Sequence, residues 1–133
     1  MATPAEIIDA MFDAALATRK NAYVPGCDFP VGACLRGEGG QLFVGVNVEN
    51  PVPAMSFCAE TSALGAMISA GERRLTDVLV IGGTDDFCPP CGGCRQRLMP
   101  FAHAGTMVHL FTEGGRRQTI PFADLLPLGA GTR

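Results

Sequence analysis

The sequence predicts an α/β fold in which helices cover both faces of a mixed β-sheet. Short runs of apolar and β-branched residues alternate along the chain with segments whose apolar residues recur at helical spacing. The predicted order is αββαβαβ, to which a weak edge strand and a short last helix can be added, and such alternation favours a covered sheet. With 133 residues, 47% of them apolar, we expect one domain over residues 1–133.

The first helix has the clearest start signal. Thr3 can cap it, Pro4 suits its first turn, and Glu6 can complete a capping box. The apolar residues that follow recur at helical spacing and would face the core. They are Ile7, Ile8, Met11, Phe12, Ala15 and Leu16.

A hairpin and a second helix come next. Residues 31–35 and 42–48 read as strands, and the glycine-rich segment 37–40 would turn between them. Residues 57–70 form a helical pattern that Gly71 ends. The remaining predicted elements are a buried strand (78–81), a helix (91 to about 99), a strand (107–111), a weak edge strand (117–120) and a short helix (121–126).

Charge and composition exclude several classes of partner. The net charge is −3 and the sequence pI is about 5.2, which does not suit a protein that wraps a phosphate backbone. The pairs Arg73-Arg74 and Arg116-Arg117 read as solvated surface. We therefore expect a small-molecule substrate, with no nucleic acid polymer as a partner.

The sequence carries no sign of export or membrane insertion. Residues 1–6 lack the basic stretch and apolar core of a signal peptide, and no apolar run approaches the roughly 18 residues of a membrane span. We therefore expect a cytoplasmic protein without a membrane partner. Thiols stay reduced there, so clustered cysteines indicate metal or redox chemistry before disulfides.

Cysteines near a glutamate form the most informative pattern. Cys58-Ala59-Glu60 is followed by Pro90-Cys91-Gly92-Gly93-Cys94, and Cys91 lies 33 positions after Cys58. Three thiolates would hold zinc, a fourth position would stay open for water, and the carboxylate would move protons. This pattern predicts a hydrolytic zinc site.

The predicted site requires Cys58 to lie at the very start of a helix. Residues two apart in mid-helix point to nearly opposite faces, so Cys58 and Glu60 can share a pocket only if Cys58 precedes the regular helix. Cys91 would open a second helix, with Cys94 one turn later. Three thiolates and Zn²⁺ sum to −1, which helix N-termini and a nearby cation would offset, and Arg95 is the local candidate.

Other interpretations of the cysteines stay open. A lone C-x-x-C can be a redox pair, as in thioredoxins. Cys88 adds a fourth thiol to Cys58, Cys91 and Cys94, enough for a closed structural zinc site or an iron–sulfur cluster. The other cysteines and the histidines show no ligand spacing and read as structural. They are Cys27, Cys34, His103 and His109.

Taken together, the motifs resemble those of the small homotetrameric cytidine deaminases, from about Tyr23 to Leu126. The Cys–Glu and Pro–Cys–x–x–Cys pair is a general signature of zinc nucleobase deaminases. The matching segments are Phe29-Pro30-Val31-Gly32-Ala33, Asn47-Val48-Glu49-Asn50, Cys58-Ala59-Glu60, Pro90-Cys91-Gly92-Gly93-Cys94-Arg95-Gln96 and Leu125-Leu126-Pro127.

The resemblance implies a three-layer α/β/α sandwich with a five-stranded mixed sheet, one Zn²⁺ per subunit, and active sites at subunit contacts of a homotetramer. It implies the hydrolytic deamination of cytidine or deoxycytidine to uridine or deoxyuridine in pyrimidine salvage, with water added at C4 and ammonia released. The implied roles are zinc ligands (Cys58, Cys91, Cys94), general acid and base (Glu60), nucleoside pocket (Phe29, Asn47, Glu49, Ala59) and neighbours of the ligands (Pro90, Arg95).

Four departures from the family pattern surround the substrate. Thr61 replaces an arginine that usually follows the glutamate, and blasticidin S deaminases, close relatives, also lack that arginine. Residues 26–28 and 51–54 differ from a Tyr-Ser-Lys-like and an Ala-Ser-Tyr-Gly stretch, and residues 128–133 lack a stacking phenylalanine. We therefore hypothesise a pocket that also accepts cytidines with bulkier groups at C4.

Two alternatives remain. One is a deaminase of another aminopyrimidine, although the complete block 47–50 favours a ribose-bearing substrate over a blasticidin-like antibiotic. The other is a non-catalytic, zinc-stabilised interaction domain that uses all four of the clustered thiols.

Overall fold

The computed structural model describes residues 2–26 and 28–127. Its five strands form a mixed sheet with the order β2-β1-β3-β4-β5, in which β3 and β4 are parallel and the other neighbours antiparallel. The elements are α1 (Pro4–Arg19), β1 (Gly32–Gly37), β2 (Leu42–Val46), α2 (Ala59–Ser69), β3 (Leu75–Ile81), α3 (Gly92–Leu98), β4 (Ala102–Phe111), β5 (Arg117–Pro121) and α4 (Phe122–Leu125). Turns of 3₁₀ helix span Pro53–Met55 and Met99–Phe101.

Helix α1 begins as its sequence predicts and covers one face of the sheet. Thr3 Oγ1 accepts from the Glu6 N–H at 3.2 Å, and Glu6 Oε1 accepts from the Thr3 N–H at 3.1 Å. This reciprocal pair satisfies two N–H groups that a helix start otherwise leaves unpaired. Met11 and Ala15 are fully buried against sheet residues that point to this face. Those residues are Cys34, Leu79, Ile81 and Phe111.

The other helices pack on the opposite face. Ala63 and Met67 of α2, Leu98 of α3 and Phe122 of α4 belong to one apolar cluster. The sheet residues in that cluster alternate with those facing α1, as the two-residue period of a strand requires. They are Ala33, Leu35, Phe43, Val78, Val80, Val108 and Leu110. The predicted α/β/α sandwich with a five-stranded mixed sheet is confirmed.

One glycine allows α2 to lie directly on β2. A Cβ atom at Gly45 would run into the backbone nitrogen of Ala63 and the carbonyl oxygen of Ala59. No side chain fits between this strand and the first turns of α2. The start of α2, which carries the predicted site, is therefore positioned by backbone contact with the sheet.

Strands β3 and β4 begin earlier than predicted. The sequence predicts starts at residues 78 and 107, whereas the strands start at Leu75 and Ala102. Leu75 pairs with Ala102 before a register shift, and the Thr106 hydroxyl donates to the Leu75 carbonyl oxygen at 2.7 Å. Pairing with a neighbour, which local propensity does not encode, extends both strands.

Candidate active site

Cys58 and Glu60 stand at the start of α2 in the arrangement that the sequence demands. Cys58 is the N-cap residue, with extended backbone angles (φ −79°, ψ 161°), and α2 begins at Ala59. The expectation that Cys58 precedes the regular helix is confirmed. Because its backbone is not helical, its thiol and the Glu60 carboxyl both line one cavity.

Cys91 and Cys94 occupy the start of α3. Cys91 is the N-cap residue, and its sulfur accepts from the Cys94 N–H at 3.4 Å. The Sγ atoms of Cys58 and Cys91 lie 3.5 Å apart, and all three Sγ atoms, including that of Cys94, lie within 4.8 Å of one another. Zn–S bonds of about 2.3 Å in tetrahedral geometry put sulfurs about 3.8 Å apart. The three thiols therefore fit zinc.

The three thiols differ in their tendency to ionise. Burial raises the pKa of Cys58, and the thiols of Cys94 and Cys91 raise it further. Burial also raises the pKa of Cys94, as does the nearby Glu60 carboxyl. At Cys91 burial acts in the same direction, but the Cys94 N–H and the other two thiols outweigh it and lower the pKa. One readily ionised thiol thus lies beside two that need a cation to lose their protons.

Glu60 is buried beside this cluster. Glu60 is only 4% exposed, and desolvation raises the pKa of its carboxyl above the usual value. A raised pKa brings the carboxyl closer to the pH at which it must both accept and release a proton, as a general acid and base requires.

Cys88 lines the same cavity without joining the thiol cluster. Within residues 2–26 and 28–127, the Cys, His, Asp and Glu group able to hold a metal comprises Cys58, Cys91 and Cys94. Burial, followed by the charges of Glu60 and Cys91, raises the pKa of Cys88 to about 11. The geometry favours a three-thiol site with an open position over a closed four-thiol site.

The cavity has a volume of about 350 Å³ and opens to solvent. Asn47, Glu49, Ala59 and Glu60 lie in its wall, as expected for a nucleoside pocket. Phe29 does not line it, and its ring instead lies near Gly82. Among the described residues, the wall is formed by Val31, Asn47, Glu49, Pro53, Ser56, Phe57, Cys58, Ala59, Glu60, Cys88, Pro89 and Cys91.

Asn47 is already engaged by its surroundings. Its Oδ1 accepts from the Val31 N–H at 2.8 Å, and its Nδ2 donates to the Phe29 carbonyl oxygen at 3.0 Å and to Glu49 Oε1 at 3.3 Å. Asn47 thereby fixes the segment 29–31 and orients the Glu49 carboxylate toward the cavity. Through this contact the Phe29 backbone is tied to a residue of the cavity wall.

Arg95 and Pro90 lie just behind the zinc ligands. Arg95 Nε donates to the Pro90 carbonyl oxygen at 2.8 Å, and Nη1 donates to the Leu125 carbonyl oxygen at 3.0 Å. Arg95 thus ties the segment before Cys91 to α4. These contacts fit a residue that positions α3, and the charge offset expected of Arg95 remains a prediction.

Thr61 and Arg97 lie near the three thiols; the sequence marks Thr61 only as a departure from the family pattern and gives no signal for Arg97. Thr61 Oγ1 lies 3.4 Å from Cys94 Sγ, and Arg97 Nη1 donates to Thr61 Oγ1 at 3.3 Å. The contact joins positions 36 apart, and only the folded chain brings them together. The predicted features of Cys27 and of residues 128–133 lie outside the described residues.

Comparison with known families identifies the family to which the chain belongs. The model of the cytidine and deoxycytidylate deaminase zinc-binding region matches residues 5–110. The chain belongs to this family. The matched range includes Cys58, Glu60, Cys91 and Cys94, and zinc is the metal that the family description and the three-thiol cluster agree on.

Similar members of the cytidine deaminase family support the assignment. A cytidine deaminase of Sporosarcina psychrophila is 38% identical over 109 residues, covering 82% of this chain and 80% of its own. One from Halalkalibacterium halodurans is 38% identical over 113 residues, covering 85% and 86%. The crystal structure of cytidine deaminase from Burkholderia pseudomallei superposes with a TM-score of 0.85 at 36% identity, covering 91% of this chain and 97% of that one.

The helices that the structure describes were compared with the length and apolar character that a membrane span requires. None of those within residues 2–26 and 28–127 is both long and apolar enough to cross a bilayer.

Proposed function

We propose that this chain is a zinc-dependent hydrolase that converts cytidine or deoxycytidine to uridine or deoxyuridine and releases ammonia. One observation carries the proposal. A buried carboxyl with a raised pKa, that of Glu60, lines the same cavity as Cys58 and Cys91 of a three-thiol cluster suited to zinc. A general acid and base beside an open metal site is the arrangement that hydrolytic deamination uses.

Each thiol has a separate structural support in the proposed zinc site. Cys58 and Cys91 are N-cap residues of two helices, and Cys94 is held one turn inside the second. When bound, zinc would supply Lewis acidity that lowers the pKa of a water molecule toward neutrality. The partial positive charge at the two helix starts favours the thiolate forms that the metal requires.

Glu60 carries the protons in the proposed reaction. Its carboxylate takes a proton from the attacking water and delivers it to ring N3, which makes C4 more electrophilic. The carboxylate then takes the proton of the hydroxyl newly attached to C4 and passes it to the exocyclic amine, so that the C4–N bond breaks, C4 becomes a carbonyl and the amine leaves as ammonia. The burial of Glu60, which is 4% exposed, limits the access of bulk water to these protons.

We assign Glu49 to the ribose hydroxyls and Asn47 to orienting it. The Asn47 amide already makes contacts with Val31, Phe29 and Glu49, whereas the Glu49 carboxylate faces the cavity. Ala59, fully buried at the start of α2, would contact the base through its backbone. Phe29 would act on the pocket through its carbonyl oxygen.

Tolerance at C4 is a finer proposal. Pro53, Phe57 and Cys88 line the cavity, and the segment 51–54 replaces the Ala-Ser-Tyr-Gly stretch of the family that this sequence resembles. We expect N4-alkylcytidines to be turned over with a smaller loss of kcat/KM than an ordinary family member shows. An equal or greater loss would contradict the wider pocket.

We further propose a cytoplasmic homotetramer that acts in pyrimidine salvage, with one domain per chain. Large apolar side chains near the cavity mouth support self-association, since Val52, Met55 and Phe57 are 55%, 61% and 41% exposed. Their segment follows the block 47–50, so a second subunit placed there would close the pocket.

The experiment that tests the reaction is a chromatographic assay of uridine formed from cytidine, with zinc content measured on the same sample. Wild-type protein should form uridine, and Glu60→Gln should lower kcat by at least about 10²-fold while zinc content and fold persist. Glu38→Gln, which changes an exposed carboxyl on the far hairpin, is the matched control.

Two results would redirect the proposal. Turnover that survives in Glu60→Gln would remove Glu60 from catalysis. A folded, zinc-loaded wild-type protein that acts on other aminopyrimidines but not on cytidine or deoxycytidine would support the alternative substrate class.

A further inference from the structure

A chain of polar contacts joins the two helices behind Cys94. Thr61 follows Glu60 in the first turn of α2, and its Oγ1 lies 3.4 Å from Cys94 Sγ. Arg97, one turn after Cys94 on α3, places Nη1 3.3 Å from the same Oγ1. The path therefore runs from an exposed guanidinium to the most buried of the three clustered thiols.

The direction of these hydrogen bonds follows from the donors available. A guanidinium carries only donors, so Thr61 Oγ1 must accept from Arg97. A hydroxyl has a single proton, and the one on Thr61 is then available to Cys94 Sγ. A cysteine sulfur that ligates zinc carries no proton, so in the zinc-bound protein Cys94 Sγ would accept and the Thr61 hydroxyl would donate.

The contact also addresses the charge of the site. Three thiolates and Zn²⁺ carry a net charge of −1, and a hydrogen bond to one sulfur disperses part of it. Arg97 is exposed, so its cation keeps its hydration and leaves the cavity free. Its effect reaches the sulfur through the Thr61 hydroxyl.

We propose that Arg97 and Thr61 form a hydrogen-bond relay that holds Cys94 as a zinc-ligating thiolate. Arg97 is a positioning residue in this relay, because it fixes the Thr61 hydroxyl and does not reach the substrate. The inference rests on the zinc site of the proposed function, and it adds residues for which the sequence offers no motif.

The test measures how fast zinc-loaded protein releases its metal to an excess of a chromogenic chelator. Thr61→Val keeps the shape but removes the hydroxyl, and it should speed zinc release by about 10-fold. Arg97→Met should act in the same direction with a smaller effect. Thr61→Ser and Arg97→Lys, which retain the donors, should stay near wild type.

Matched controls separate the relay from general damage. Ser62→Ala removes the neighbouring hydroxyl on α2, and Arg74→Met removes an exposed arginine that pairs with Glu38. Neither should change zinc release. Cobalt-substituted protein gives an independent readout, because the energy of the thiolate-to-cobalt charge-transfer band should shift in Thr61→Val and Arg97→Met and stay unchanged in both controls.

Combining the changes tests whether Arg97 acts through Thr61. If it does, Arg97→Met should add nothing in a Thr61→Val background, whereas independent contributions would multiply. Full additivity, or zinc release in Thr61→Val equal to wild type, would overturn the relay. Absence of stoichiometric zinc in folded wild-type protein would instead overturn the proposed function, so the two failures are distinguishable.

Discussion

Glu60 combines two requirements that oppose each other. A proton shuttle needs a carboxyl shielded from water, and shielding makes its charged form unfavourable. Desolvation raises the pKa of this carboxyl, and its residue is 4% exposed. The proposed catalytic group should therefore reduce the stability of the protein at the pH where it works.

Glu60→Gln should stabilise metal-free protein at pH 7. A folded-state pKa above the unfolded value means that the carboxyl contributes fully to stability below the unfolded pKa, and this contribution is lost as pH rises through the folded pKa. The amide avoids that loss, so we expect the variant to have the higher free energy of unfolding at pH 7, by an amount that shrinks toward pH 4.

Thermal unfolding of both proteins from pH 4 to 8, in the presence of a chelator and a thiol reductant, measures this difference. A glutamine variant that is equal to or less stable than wild type at pH 7 would show that the buried carboxylate is compensated in the fold.

The sequence predicts the three-thiol cluster beside Glu60 because each half of the pattern is local. Cys58 lies two positions from Glu60, Cys91 three from Cys94, and each pair sits at a helix start that sequence signals reveal. Thr61 and Arg97 come into contact only because α2 packs against α3. The local sequence of neither segment predicts that contact.

At the scale of elements, the position of the α2 start depends on a missing side chain. Gly45 of β2 lets the backbone of α2 approach the sheet, and a Cβ there would meet the backbone of Ala59 and Ala63. Backbone atoms cannot swing aside as a flexible side chain can, so a larger residue has to move the helix.

Gly45→Ala should lower the free energy of unfolding by about 1–3 kcal/mol, the usual range for overpacking, and weaken zinc binding because Cys58 moves with α2. Gly65→Ala is the matched control. Gly65 lies inside α2 with open space around its Cβ position, and alanine there should stabilise by up to about 1 kcal/mol.

Urea unfolding and zinc titration of the two variants measure both effects. Equal stability of Gly45→Ala and wild type would mean that α2 can shift without cost, and would remove the backbone contact as the feature that positions the site.

Element boundaries follow the sequence where the signals are local. The capping box at Thr3 and Glu6 fixes the start of α1, and the glycine-rich turn before β2 was predicted at its observed place. The early starts of β3 and β4 depend on pairing between Leu75 and Ala102, which are far apart in sequence. Such long-range pairing leaves no local trace.

At the scale of the whole molecule, a buried polar group ties three strands together. His109 Nε2 lies 2.8 Å from Asp77 Oδ1, and its Nδ1 lies 2.9 Å from Thr119 Oγ1. Burial would raise the pKa of Asp77, but the hydrogen bond to His109 outweighs it, with help from Thr76 and Arg36, and lowers it.

Asp77→Asn should therefore flatten the acid part of the stability profile. Because the pKa of Asp77 is lowered in the folded protein, its carboxylate stabilises the fold at pH values above the unfolded-state pKa of about 3.9. This stabilisation is lost as pH falls through the folded-state pKa. We expect the variant to be less stable at pH 6 by about 1–3 kcal/mol, with a smaller gap at pH 3. Urea unfolding of wild type and variant at several pH values measures this difference, and Asp9→Asn, at an exposed carboxyl, is the control. A difference in the free energy of unfolding that stays constant with pH would contradict the prediction.

The exposed apolar side chains beside the cavity mouth give a prediction about assembly. Met55 is 61% exposed, and a charge there would be desolvated if a second subunit covers it. Met55→Lys should reduce both the size of the assembly, measured by sedimentation velocity, and kcat/KM. Lys20→Met, at the end of α1, is the control and should change neither. A wild-type protein that sediments as a monomer at micromolar concentration would contradict the assembly.

The separation of Cys58 from Cys91 gives the metal a role in folding as well as in chemistry. A zinc ion held by both would close a loop of 33 residues that includes α2 and the central strand β3. Closing a loop of this size restricts the unfolded chain by about 4 kcal/mol if the link acts as a disulfide does. The ion would then serve as a reversible cross-link, and zinc supply would set how much of the protein is folded.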